Sequence, residues 1–126
     1  MNTFGTAINC MDGRVQVAIH EYIKQNYGVT YVDTITLAGP VKVIARRKPL
    51  NLVKDLRRRV RISVEIHQSK IVALVGHTDC AGISEPDELQ KIHLIESVKR
   101  VKKWYPNIEV IGLWLDDDFQ VVKIIL

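Results

Sequence analysis

Hydrophobic and polar positions follow two rhythms along this chain, one of period two and one near 3.6. Residues 4–10 read as a short strand running into a loop. Over residues 14 to about 26, Val15, Ala18, Ile19, Tyr22 and Ile23 recur at helical spacing, and the pattern stops at Tyr27-Gly28. Residues 30–37 alternate and are rich in β-branched and aromatic side chains, which predicts a second strand, broken by Ala38-Gly39-Pro40. Between about residues 49 and 67 the spacing of Val53, Leu56, Val60, Val64 and His67 predicts one helix with a single apolar stripe. Residues 71–75 are almost continuously apolar, as in a strand buried on both faces of a parallel sheet, and residues 76–82 follow as a loop.

Ser84-Glu85-Pro86-Asp87 looks like a helix start, with Ser84 as cap, Pro86 in the first turn and acids near the positive end of the helix dipole. Leu94, Val98, Val101 and Tyr105 carry that helix to Pro106. Residues 108–115 predict a further strand, Asp116-Asp117-Asp118 a turn, and residues 119–126 an antiparallel strand returning along the edge. The order β-α-β-α-β-α-β-β implies an α/β fold, a Rossmann-like and mostly parallel sheet with helices on both faces. Right-handed crossovers leave strand order 2-1-3-4 as the simplest topology, with the last strand added antiparallel at an edge.

Composition narrows the setting. The chain has 126 residues, 47% hydrophobic and 25% charged, which fits one globular domain spanning residues 1–126 and argues against disorder. No apolar run approaches the roughly 20 residues of a membrane span, and the first residues lack the basic-then-apolar pattern of a signal peptide. Two cysteines are too few for a disulfide framework, so a cytoplasmic protein is expected. Charge is uneven. Residues 46–61 carry Arg46, Arg47, Lys48, Lys54, Arg57, Arg58, Arg59 and Arg61 against Asp55 alone. Such a run is either a solvated helix face or a surface for an anionic partner. The absence of interleaved aromatics argues against nucleic acid.

In an open α/β sheet, ligands bind beyond the carboxyl ends of the strands where strand order reverses, here between strands 1 and 3. Cys10 ends strand 1, and His77 and Cys80 lie just past the end of strand 3, so topology alone brings them together. Two thiolates and one imidazole suit Zn²⁺ and leave a fourth tetrahedral position open, whereas a closed structural site uses four protein ligands. Asp12 admits three readings: fourth metal ligand, partner of Arg14 that orients a metal-bound hydroxide, or N-cap of the following helix. Asp79 reads as a loop hydrogen-bonding residue.

Cys10-x-Asp12-x-Arg14 followed by Gly76-His77-x-x-Cys80 resembles the two-part signature of β-class carbonic anhydrases, over nearly the whole chain. The resemblance implies zinc held by Cys10, His77 and Cys80, with Asp12 and Arg14 as a dyad that admits water to the metal. Asp12 is also able to close the site by ligation. It further implies hydration of CO₂ to bicarbonate by zinc-bound hydroxide, in an enzyme built from dimers. A homo-oligomer is therefore expected, as the apolar residues 121–126 also suggest. The chain departs from the family pattern at Gly13, usually Ser, and at Ala81, usually Gly, with Gly82 one place later. Thr36-Leu37-Ala38-Gly39 stands where Arg-Asn-Ala-Gly is common. The first strand begins at once, so a short form without the family's N-terminal helical arm is expected. Two other functions use the same residues: hydrolysis of COS or CS₂, and a non-catalytic zinc module closed by Asp12 whose basic helix meets an anionic partner.

Overall fold

The computed structural model describes residues 2–124. Strand β1 (Phe4–Cys10) leads into helix α1 (Gly13–Tyr27), which ends at Gly28 in the left-handed conformation (φ 64°) that glycine adopts without steric cost. Strand β2 (Tyr31–Leu37), helix α2 (Pro40–Arg46) and helix α3 (Leu50–Arg61) follow. Then come β3 (Ile71–His77), α4 (Asp87–Trp104), β4 (Glu109–Leu115) and β5 (Val121–Ile124). The sheet order is β2-β1-β3-β4-β5, parallel except for the β4–β5 pair, as the sequence predicts.

Alternation along the strands sends neighbouring residues to opposite faces and so builds two cores. Ala7, Ala73 and Leu113 pack with Val15, Ile19 and Ile23 of α1 on one face. Ile8, Leu74 and Trp114 pack on the other with Val41 and Ile44 of α2, Leu56 and Val60 of α3, and Leu94, Val98 and Val101 of α4. All seven residues of β3 are buried, which explains its unbroken apolar run. Each valine, leucine or isoleucine side chain among these taken fully from water contributes about 1.5–3 kcal/mol.

Several local features differ from the sequence reading. Pro40 starts a helix instead of only breaking a strand, because proline at the first helical position carries no N–H to leave unpaired. The predicted single helix over residues 49–67 ends at Arg61 and continues as a π-helical turn, Ile62–Ile66. That wider turn puts both Ser63 and Val64 inside. Ser63 Oγ meets Thr6 Oγ1 at 2.6 Å and donates to Asp33 Oδ2 at 2.7 Å. His67, expected on the apolar stripe, is exposed, pairs with Asp33 at 2.6 Å and stacks on Phe4. Ser84 does not cap α4; Pro86 occupies the cap position without a side-chain bond, while Asp87 and Glu88 lie in the first turn as expected.

The predicted edge strand starts later, at Val121. Asp116 Oδ1 accepts from the amides of Asp118 and Gln120, so the turn reaches past Phe119. Residues 125 and 126 of that expected strand lie outside the described residues. Among the described residues, no helix is long and apolar enough to cross a membrane.

Candidate metal centre

The ladder between the two central strands stops early. The β1–β3 pairing ends at Ile8↔Leu74, whereas β1–β2 continues to Cys10↔Leu37 and β3–β4 to His77↔Leu115. The central strands therefore part before their carboxyl ends, which opens a crevice at the point where strand order reverses.

Cys10, His77 and Cys80 converge in that crevice, all buried, with one donor atom of each within 4.8 Å of the others. The two sulfurs are 3.8 Å apart and both cysteines are free. Two sulfurs each about 2.3 Å from one tetrahedral Zn²⁺ would stand about 3.8 Å apart, against about 2.05 Å in a disulfide. His77 Nε2 is buried without a hydrogen-bond partner. Burial also lowers the His77 pKa from 6.5, which favours the neutral imidazole that carries a lone pair for a metal. Burial and the neighbouring Cys10 push the Cys80 thiol up, the direction a cation between them would reverse. This donor set can hold a metal ion and fits zinc.

The loop between β1 and α1 carries the charged neighbours. Asp12 is the N-cap of α1, accepting from the Arg14 amide at 2.9 Å. The Arg14 guanidinium also grips it, Nη2 to Oδ2 at 2.6 Å and Nε to Oδ1 at 3.0 Å. The capping and pairing roles thus coexist on one side chain. These bonds hold the Asp12 carboxyl at about 2, well below the usual range, and raise Arg14. Asp12 does not belong to the cluster of converging donors. Arg14 reaches on to Asp79, Nη1 to Oδ2 at 3.4 Å, so Asp79 ties the two loops together across the crevice. A cavity of about 280 Å³ opens beside these groups, lined by Arg14, His77, Thr78, Asp79, Leu115 and Phe119 among others.

Several supporting residues gave no signal in the sequence. Gln16 Nε2 donates to the carbonyls of both Cys10 (2.9 Å) and Asp12 (2.8 Å), and buried Asn9 donates to Gln16 Oε1 at 3.2 Å. Nothing in the sequence marks Gln16 off from the other polar positions of α1. Gly82 lies where an added Cβ would come within 2.5 Å of the Ala38 carbonyl carbon and 2.7 Å of the Gly39 nitrogen, so the Cys80 loop and the start of α2 touch backbone to backbone. The presence of Gly82 beside Ala81 gave a partial clue. Glu85 anchors the far end of that loop, pairing with Lys42 of α2 and with His93 Nε2 of α4 at 2.9 Å.

The fold and the converging donors define an α/β protein with a metal-type site at its switch point. A family model described as "Putative carbonic anhydrase" matches residues 1–125, and the chain belongs to this carbonic anhydrase family. Solved structures share the fold. β-Carbonic anhydrase isoform I of Trichomonas vaginalis is 18% identical, with 95% of this chain and 81% of that one covered at a TM-score of 0.62. A carbonic anhydrase from Glaciozyma antarctica is 18% identical, with 94% and 80% covered at 0.63. A structure from work on two tetrameric β-carbonic anhydrases of Sordaria macrospora is 12% identical, with 98% and 82% covered at 0.61. No curated protein gives a significant match.

Proposed function

We propose that this protein is a zinc-dependent carbonic anhydrase that catalyses the reversible hydration of CO₂ to bicarbonate, acting as one domain. The observation that carries the reading is the convergence of Cys10 Sγ, Cys80 Sγ and the unpartnered His77 Nε2 at spacings suited to a tetrahedral cation. Those three atoms would hold the metal and leave its fourth position open. Bound there, Zn²⁺ supplies the Lewis acidity that brings the pKa of a water near 7.

The chain's own groups do the rest. Arg14 pairs with the ionised Asp12 and fixes it in place, and Asp12 accepts a hydrogen bond from the attacking water and orients it. Arg14 also fixes the carboxylate in direction, because Nε and Nη2 bind it as a fork. Leu115 and Phe119 form the apolar part of the cavity beside His77, whose lining also includes Arg14, Asp79, Asp116 and Asp117. CO₂ and water are consumed there; bicarbonate leaves with one proton, which passes to buffer.

The closed, non-catalytic module is less well supported, since Asp12 is engaged by Arg14 and stands outside the donor cluster. As in the tetrameric Sordaria macrospora enzymes, a homo-oligomer is the expected working form. The edge strand β5 leaves Val122 exposed for such a contact. Elemental analysis combined with stopped-flow CO₂ hydration tests the function on one sample. Hydration above the buffer rate at one zinc per chain supports it, and a zinc-loaded protein inert from mildly acidic to alkaline pH contradicts it.

A further inference from the structure

The basic segment is more than a solvated face. Part of it turns into a cavity of about 400 Å³ formed by α2, α3 and α4, within the size range of small-molecule sites. Five cations from these elements and the turn after α2 border it: Arg47, Lys54, Arg57, Arg100 and Lys103. Among the described residues, no carboxylate lines it and none of the five takes part in an ion pair. The neighbouring Arg58 and Arg59 behave differently, both pairing with Asp55. The floor is apolar, made by Ile44, Leu50, Val53 and Trp104, and Leu50 is 59% exposed there.

Two of the cations are already positioned. The Arg57 guanidinium lies 5.1 Å from the centre of the Trp104 ring, and Arg100 Nε donates to the Ala45 carbonyl at 3.0 Å. Capping the C-terminus of α2 explains Arg100 alone. It does not explain four further cations gathered over an apolar floor without a counter-charge.

We propose that this cavity binds a nucleoside di- or triphosphate. Cations at this density match a small ligand carrying three or four negative charges, and arginine forks fit phosphate oxygens. The apolar floor takes a flat ring, which a simple inorganic anion lacks. The size of the cavity, about 400 Å³, favours a single small molecule over a polymer.

The test is isothermal titration of the zinc-loaded protein with ATP, adenosine and inorganic triphosphate, and of an Arg57→Gln/Lys103→Gln variant with ATP. Expected is one ATP per chain, about tenfold or more tighter than either fragment, weakening with salt and falling about tenfold or more in the variant. Three outcomes overturn the proposal: no ATP binding at about 1 mM, triphosphate binding as tightly as ATP, or a single-stranded oligonucleotide displacing ATP at lower concentration. The fragment comparison uses the wild-type protein, so the proposal stays testable if the variant folds poorly.

Discussion

Arg14 holds Asp12 through its backbone amide and two guanidinium nitrogens at once, at 2.9, 3.0 and 2.6 Å. The same carboxylate caps α1 and keeps its charge, so the loop after Cys10 is fixed in shape and in electrostatics together. Asp12→Asn keeps the capping oxygen but removes the charge and one acceptor. Zinc content is expected to stay near one per chain while CO₂ hydration falls roughly 10–100-fold, the scale of a misplaced reacting group. Metal analysis beside stopped-flow rates checks this, and full activity in the variant would remove Asp12 from the mechanism.

Gln16 tests whether the metal loop is held from α1. Its amide bridges the Cys10 and Asp12 carbonyls, a bond to the backbone of a proposed metal ligand. Gln16→Leu leaves both carbonyls without that donor. Zinc affinity, measured by competition with a chromophoric chelator, is expected to drop by about 10–100-fold, as for other groups that orient metal ligands. An unchanged affinity would show that the loop holds its shape without the clamp.

Gly82 tests the contact between the Cys80 loop and the start of α2. A methyl group there meets the Ala38 backbone at 2.5 Å, and backbone cannot rotate away as a side chain can. Gly82→Ala should cost about 1–3 kcal/mol of stability, the usual penalty of overpacking. It should also lower zinc occupancy, because Cys80 would move with the loop. Chemical denaturation with metal analysis reads both, whereas Ala81→Gly should leave zinc occupancy unchanged and cost no more than about 1 kcal/mol.

Tyr105 gives a pH dependence far from the metal. Burial first, and donation to Glu65 Oε2 at 2.9 Å second, raise its pKa from 10 to about 12. Folding therefore favours the neutral phenol. Its contribution to stability is complete below pH 10, the unfolded value, and is lost as pH rises through about 12. The stability difference between wild type and Tyr105→Phe should shrink across that interval, and a constant difference would contradict the assignment.

The sheet and the three metal-type donors were legible because each rests on a strong local signal. Ile71 to Val75 has the near-continuous apolar pattern of a strand buried on both sides, and the alternation of strands and helices gives the order that brings Cys10 beside His77. Helix α2 escaped because Pro40 was read as a breaker and Val41, Val43 and Ile44 are weak helix formers; packing of Val41 and Ile44 into the core overrides that preference. The π-helical turn escaped because its cause lies far away in sequence, in the hydrogen bonds of Ser63 with Thr6 and Asp33. Glu85 was unreadable for the same reason, since Lys42 of α2 lies far away in sequence; Gln16 has nearby partners, but only the turn after β1 brings the Cys10 and Asp12 carbonyls to its amide.

X-ray absorption at the zinc edge of the purified protein tests the central claim most directly. The account predicts one zinc per chain with two sulfur neighbours at about 2.3 Å and nitrogen or oxygen neighbours at about 2.0–2.1 Å, one sulfur being lost in Cys80→Ser. Protein that takes up no zinc when it is supplied, or that carries Cys10 and Cys80 joined as a disulfide at about 2.05 Å, would contradict it.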